Sequence, residues 1–527
     1  ARRRPPLVLA LPALAAVGLI LLPLAYLVIR AGSGGERAWQ VLGRRGTAEL
    51  VLDTGLLVAA VVAAAIAIGV PLAWLVTRTD LPGRRVWAAA AALPLVIPSY
   101  VAALSLLGAF GPRGLLQRLL ERPLGIERLP ELYGFPGAFL ALTLSTYPYV
   151  FVLVAASLRA LDPALEEASR SLGHSPLVTF RRVTLPSLRP AVGAGGLLVA
   201  LYTISDFGAV SLMQYDALTR AIYLQYRALF DRTPAAVLGL VLVALAGIII
   251  ALESRSRREL RLHRSSPGTA RPPHSVALGP WRWPALCFCG AVVALFLAVP
   301  LAVLAYWSTR AIAIGRGVEL APAAALNSLL VSALAAVAAV AAVLPVAFLA
   351  QRHRAAWTRA LERLSYSANA LPGIVIALSL VFFAANYAAP VYQTLGLLVF
   401  AYVVRFFPQA LGAASTALRT VSPNVEEAAR GLGRGPLRVL FSVTAPLVAP
   451  GLLAGAALVF LSTMKELPAT LLLRPIGFET LATEVWKYTS LASYSRAAPS
   501  ALLLIVLSAP LVYLLTARGV SERTTPG

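Results

Sequence analysis

Charge is scarce in this chain. Only 13% of its 527 residues are Asp, Glu, Lys or Arg, about half the share usual in soluble domains, and 59% are apolar. Many stretches run longer than ~18 residues without a charge, which excludes an ordinary soluble fold and leaves membrane-spanning helices. Lysine is nearly absent, with only Lys465 and Lys487. Neither sits in a G-x-x-x-x-G-K-[ST] context, so no loop of the usual kind is present to cradle ATP phosphates. The four histidines, His174, His263, His274 and His353, lie in polar segments between apolar runs. That argues against an imidazole grip on a metal within the membrane, while oxygen ligands stay open. Cys287 and Cys289 share one apolar run and read as small apolar helix residues, with no disulfide framework implied.

The net charge of +23 is almost wholly arginine, placed in short segments between apolar runs. There is no continuous basic face, so the positive-inside bias accounts for it better than a nucleic-acid partner does. Arg2-Arg3-Arg4 precede an apolar run from Leu7 to Ile29, longer than the 7–15 residues of a signal-peptide core. A retained first helix with its basic end in the cytoplasm is expected.

Twelve apolar runs are candidate spans: roughly 7–29, 51–77, 87–110, 137–160, 190–212 and 235–252, then 284–307, 325–350, 366–388, 391–418, 449–473 and 498–517. The organisation expected is a first half at 1–252, a linker at 253–283 and a second half at 284–527. The linker is rich in Arg and Pro without an apolar face, and reads as flexible. The fold class is therefore all-α integral membrane, with about twelve transmembrane helices in two six-helix halves. Arg78, Arg84, Arg85, Arg170, Arg181 and Arg182, with Arg352, Arg354, Arg359, Arg363, Arg430, Arg434 and Arg438 in the second half, place these loops and both termini in the cytoplasm. The segment 30–49, with four arginines, weakens that bias without reversing it.

The halves repeat each other. Glu166-Glu167-Ala168-Ser169-Arg170 recurs as Glu426-Glu427-Ala428-Ala429-Arg430, 260 residues later, and Pro148, Pro190 and Asp206 recur as Pro408, Pro450 and Glu466 at the same offset. Leu93-Pro94 pairs with Leu371-Pro372 at an offset of 278, which places about eighteen extra residues in the 111–136 segment. Two halves of six spans keep one orientation, giving a parallel repeat about a pseudo-two-fold axis along the membrane normal.

Within 162–186 the local grammar is explicit. Asp162-Pro163 is an N-cap followed by proline at N1. Glu166 and Glu167 fall in the first turn, where the helix dipole favours negative charge. Gly173 suits the end of that helix, and Pro186 marks re-entry into the membrane. Ser422-Pro423, Glu426, Glu427, Gly433 and Pro446 repeat it over 422–446. A short helix, a glycine turn and a second short helix with exposed glutamates suit a groove on a partner.

The pattern E-A-A, three residues, Gly, nine residues, hydrophobic-x-Leu-Pro resembles the signature of ABC importer permeases of the binding-protein-dependent class. Glu167, Ala168, Gly173, Val183, Leu185 and Pro186 fit it, with Ser169 for the second alanine; Glu427, Ala428, Ala429, Gly433, Val443 and Pro446 fit it, with Ala445 for leucine. The fused layout, with Leu93-Pro94-Leu95-Val96-Ile97-Pro98-Ser99-Tyr100, Asp206-Phe207-Gly208-Ala209-Val210 and Lys465-Glu466-Leu467-Pro468-Ala469-Thr470, is most similar to the ferric-iron-type permeases; thiamine-type permeases share the architecture. The resemblance implies a type I importer fold, a bacterial inner-membrane location, no catalysis on this chain, and coupling loops that dock on two copies of an ABC ATPase. ATP and Mg would belong to that ATPase, no cofactor to this chain, and substrate would arrive from a periplasmic binding protein. Ferric iron leads as substrate; thiamine, phosphonate or another small solute is the alternative, and an ion-coupled secondary transporter lies further behind.

Intramembrane ionisable residues are costly and usually face a bundle interior. Asp206, Lys465 and Glu466 lie near the outer ends of matching helices and are candidates for the translocation pathway, against a local Lys465–Glu466 ion pair or interfacial charges. Pro94, Pro98 and Pro372-Gly373 interrupt helices, as pathway-lining helices often are, against simple packing kinks. Tyr147 and Tyr149 read as interfacial anchors, and Arg405 has no assigned role.

Overall fold

The computed structural model describes residues 7–111, 114–117, 121, 131–228, 232–258, 275–313, 321–353 and 355–521. His263, His274, Arg354, the terminal arginines Arg2 to Arg4 and most of the linker lie outside them. The regular structure among the described residues is all helical, apart from one isolated parallel bridge between Thr79 and Val276. Among the described residues, ten helices are long and apolar enough to cross a membrane.

The two remaining expected spans, 87–110 and 366–388, are not single helices. Each is a pair meeting at a sharp bend, 99° in the first half and 101° in the second. In the first, Arg84–Ala92 and the 3-10 turn Leu93–Val96 stop before Ser99–Phe110. In the second, Ala356–Tyr366 and the turn Ser367–Ala370 stop before Gly373–Tyr387. Proline lacks an N–H and drives the preceding residue out of the helical region. Ile97 and Leu371 are accordingly extended, with ψ of 113° and 104°, and Pro98 and Pro372 become N-caps of the next helices. The structural partner of Pro372 is thus Pro98, not Pro94. The offset before the 111–136 segment is 274 and the extra length about fourteen residues, four fewer than the Leu-Pro match implied. Pro94 sits inside the 3-10 turn, where it is tolerated.

The expected span 190–212 is also revised. Its helix begins earlier, running through a π-turn at Phe180–Thr184 into Leu185–Ser205, and it ends at Asp206. Gly208–Leu212 is a separate short helix. The apolar run continues past Asp206, but its carboxylate accepts the Ala209 N–H at 2.9 Å and starts a new helix instead. The second half repeats this as Ala445–Met464, Glu466 and Pro468–Leu473.

The halves are interleaved. The first helix, Leu7–Gly32, packs on Pro322–Arg352 and Gly373–Tyr387 of the second half, with Tyr26 edge-on to Phe383 and Tyr387. Reciprocally, Val299–Ala313 packs on Ser99–Phe110, and Trp307 Nε1 donates to Gly108 O at 3.1 Å. Both hydrophobic cores therefore draw on both halves. The linker is ordered where it is described. The preceding helix runs on to Arg258, and Val276 N–H donates to Arg78 O at 2.8 Å while Asp80 N–H donates to Val276 O at 3.2 Å. Flexibility expected over the whole of 253–283 does not hold for 275–283, which the backbone of Arg78–Asp80 ties down.

Candidate functional site

The duplicated loops have nearly identical geometry. Asp162 and Ser422 cap nine-residue helices, Pro163–Ser171 and Pro423–Gly431, by accepting the N–H of Ala164 at 3.0 Å and of Asn424 at 3.3 Å. At the other end Gly173 and Gly433 take φ of +83° and +79°, a left-handed conformation that costs a side-chain-bearing residue about 1–2 kcal/mol. Their N–H groups donate to Arg170 O and Arg430 O, both at 2.9 Å, closing the helix ends. Four-residue helices, Pro176–Thr179 and Pro436–Val439, then run through π-turns into the long helices, where Pro186 and Pro446 occupy the N-terminal positions.

The paired glutamates divide the work. Glu167 and Glu427 are exposed, as are Ala168, Ala428, Gly173 and Gly433. Glu166 and Glu426 are turned inward, contrary to the expectation that both glutamates of each pair are exposed. Glu426 accepts from Arg352 Nη2 at 2.8 Å and Thr444 Oγ1 at 3.2 Å; Glu166 accepts from Thr184 Oγ1 at 2.8 Å and lies 3.5 Å from Arg78 Nη1. Arg78 and Arg352 end matching membrane helices, so each loop is pinned to the bundle by an arginine, buried in the case of Arg78 and part-buried in that of Arg352. Leu172 and Leu432, beside the turn glycines, are 77% and 83% exposed, an apolar tip on each loop.

About 30 Å along the same helices, at ~1.5 Å per residue over Leu185–Ser205, lies a polar chamber of about 190 Å³. Both halves wall it: Ser99, Tyr100, Tyr149, Tyr202 and Asp206 from the first, Arg405, Gln409, Ser462, Lys465 and Glu466 from the second. Asp206, Lys465 and Glu466 are thus brought together, whereas Pro94 and Pro372 are buried behind the wall at the helix breaks. The Lys465–Glu466 ion pair does not form among the described residues. Lys465 Nζ instead crosses to the other half and donates to Leu95 O at 2.8 Å. Glu466 accepts from the N–H of Ala469 at 3.0 Å and of Thr470 at 3.3 Å. Asp206 accepts from Ser99 Oγ as well as from Ala209 and Val210 N–H.

Arg405, left without a role by the sequence, is part of this wall: its Nη1 donates to Leu371 O at 2.7 Å. A Cβ built on Gly373 would lie 2.7 Å from Glu466 Oε1 and 3.5 Å from Arg405 Nε, so both groups converge on that glycine. Tyr149 lines the chamber, and Tyr147 is buried with its hydroxyl on Ala91 O, 3.0 Å away; neither is an interfacial anchor. The available signal was the register: the equivalent of Arg405 in the first half is Ser145, a charge with no counterpart.

Residues 65–261 and 343–522 match the family of binding-protein-dependent transport system inner membrane components. The chain is 36% identical to the Fe(3+)-transport system permease protein FbpB 2 of Haemophilus influenzae, over 97% of this chain and 98% of that protein. It is 25% identical to the ferric transport system permease protein FbpB of Actinobacillus pleuropneumoniae, over 72% of this chain and 58% of the relative. It is 30% identical to the molybdenum transport system permease protein ModB of Mycobacterium tuberculosis, over 46% of this chain and 90% of the relative.

Proposed function

The chain belongs to the binding-protein-dependent transport system inner membrane components, and within that family we propose that it is the fused permease of an ATP-driven importer whose substrate is ferric iron. The observation that carries this is the near full-length similarity to a ferric permease, joined to two copies of one anchored loop. The loops would each receive one ATPase subunit against the exposed faces of Glu167, Ala168 and Leu172 and of Glu427, Ala428 and Leu432. ATP and Mg act on those subunits, and the loop face and both termini lie in the cytoplasm. A periplasmic binding protein delivers substrate at the opposite face, near the chamber.

Mechanically, the Arg–Glu anchors would make each loop a rigid extension of the bundle. Closure of the ATPase pair would move Gly173 and Gly433 together and transmit the motion along Leu185–Ser205 and Ala445–Met464 to Asp206 and Lys465. Such coupling requires each ligand to prefer one state of the bundle. The test is ATPase stimulation in the reconstituted complex by its binding protein loaded with candidate ligands. Ferric iron is expected to stimulate; response to thiamine without response to ferric iron would overturn the assignment.

A further inference from the structure

The chamber holds two carboxylates, two cations and three phenols, and the way each is committed decides what it can receive. Asp206 and Glu466 face inward to the backbone. Each accepts two N–H groups of a following helix and a hydroxyl, Ser99 for Asp206 and Thr470 for Glu466. A carboxylate has about four acceptor sites, so little of either is left for a cation.

The donors are in the opposite condition. Lys465 spends one of its three on Leu95 O, and Arg405 one of its five on Leu371 O; these are their only hydrogen bonds among the described residues. Both carbonyls are freed by helix breaks, so these bonds fix the cations at the chamber wall. Tyr100 is decisive. It is one of the residues that line the chamber, it is only 2% exposed, and its hydroxyl is buried without a hydrogen-bond partner among the described residues. A buried unpaired hydroxyl costs about 1–3 kcal/mol, a penalty relieved if an acceptor occupies the chamber.

We propose that this chamber binds a small oxyanion, received by the Tyr100 hydroxyl, the Arg405 guanidinium and the Lys465 ammonium. Guanidinium and ammonium donors are the ordinary partners of oxyanions, and charge-assisted bonds to them are the strong ones. The oxyanion has two possible sources with one chemistry: a free ion, or a ligand carried on a metal through the bundle. The inference stands on the chamber geometry and goes beyond the choice of iron as cargo.

The experiment uses the full-length chain in lipid nanodiscs, free of the ATPase and its phosphate sites. Radiolabelled sulfate and phosphate are titrated alone; radiolabelled iron is titrated as ferric citrate, with citrate alone as control. Binding of sulfate or phosphate, weakened about tenfold by Tyr100→Phe and at least tenfold by Arg405→Gln or Lys465→Gln, establishes a free-oxyanion site. Binding of ferric citrate but not citrate alone, with the same losses, establishes a metal-borne oxyanion. Absence of binding by every probe, or equal binding by wild type and Tyr100→Phe, overturns the proposal. Tyr100→Phe removes only an unpaired hydroxyl, so its thermal stability should equal or exceed wild type, and misfolding cannot explain a loss. Iron uptake by the complete transporter separates the two readings. Uptake of iron with equal binding by Tyr100→Phe sinks the chamber alone, and uptake of sulfate instead of iron sinks the cargo alone.

Discussion

Replacing Arg352 by Met tests whether the inward glutamate anchors the loop. Glu426 is 4% exposed, and its shortest contact is the 2.8 Å bond from Arg352, which also donates to Val421 O at 3.1 Å. Breaking a buried pair by deleting one partner costs about 3–5 kcal/mol, because the remaining charge stays buried. Thr444 at 3.2 Å and the half-exposed Arg430 at 3.5 Å still face Glu426, so the lower end, about 3 kcal/mol, is the better figure. That corresponds to roughly a 100-fold rise in local opening.

Hydrogen exchange of the amides in Pro423–Gly431 reads this directly. Arg352→Met should lower their protection about 100-fold while Pro163–Ser171 stays unchanged. Arg78→Met should do less to its own loop, since the Arg78–Glu166 approach is 3.5 Å and Thr184 keeps its bond at 2.8 Å. The double variant Arg352→Met/Glu426→Met should recover most of the protection, because apolar replacement of a whole buried pair is often neutral. If the double variant exchanges as fast as the single one, the pair is not what holds the loop, and the rigid-lever account of coupling fails with it.

Other expectations follow from the same geometry. Gly173→Ala and Gly433→Ala meet no atom within 4 Å, so their cost is purely conformational, about 1–2 kcal/mol each, measurable as a several-fold loss of loop protection and of coupled ATPase activity. Gly193→Ala, in an open helical position of Leu185–Ser205, is the control and should not destabilise. Leu172→Ser with Leu432→Ser should leave the fold intact yet sharply reduce co-purification of the ATPase; full retention would remove the apolar tips from the docking surface. Asp206→Asn and Glu466→Gln keep an acceptor for the helix caps but remove a charge from the chamber wall, so assembly should survive while uptake falls; unchanged uptake in both would show that the carboxylates serve the backbone alone.

The loops were legible because everything that shapes them is local. An N-cap, a proline at N1, two glutamates and a turn glycine lie within some twelve residues, and their polarity stands out against apolar flanks. The bundle was not legible in the same way. Inside a membrane, core-facing and lipid-facing positions are both apolar, so hydrophobic periodicity does not say which helix meets which. The exchange of Leu7–Gly32 and Val299–Ala313 between halves, and the tie of Val276 to Arg78, join segments far apart in the chain and leave no periodic trace. Arg78 and Arg352 show the cost most clearly. Counted only as loop charges, they served the topology argument; in the structure they end membrane helices, Arg78 buried and Arg352 part-buried, facing Glu166 and Glu426. The signal that could have found them is the offset of 274 that they share with Pro98 and Pro372. A Leu-Pro match at 278 hid it, because two prolines four residues apart offer the same dipeptide pattern one helical turn out of register. Charged residues that recur at the true offset on both sides of a helix break are held there by an internal partner. By that logic Arg405, which has no counterpart at the offset of 260 its helix shares with the first half, belongs to what the two halves do differently: the wall of the chamber between them.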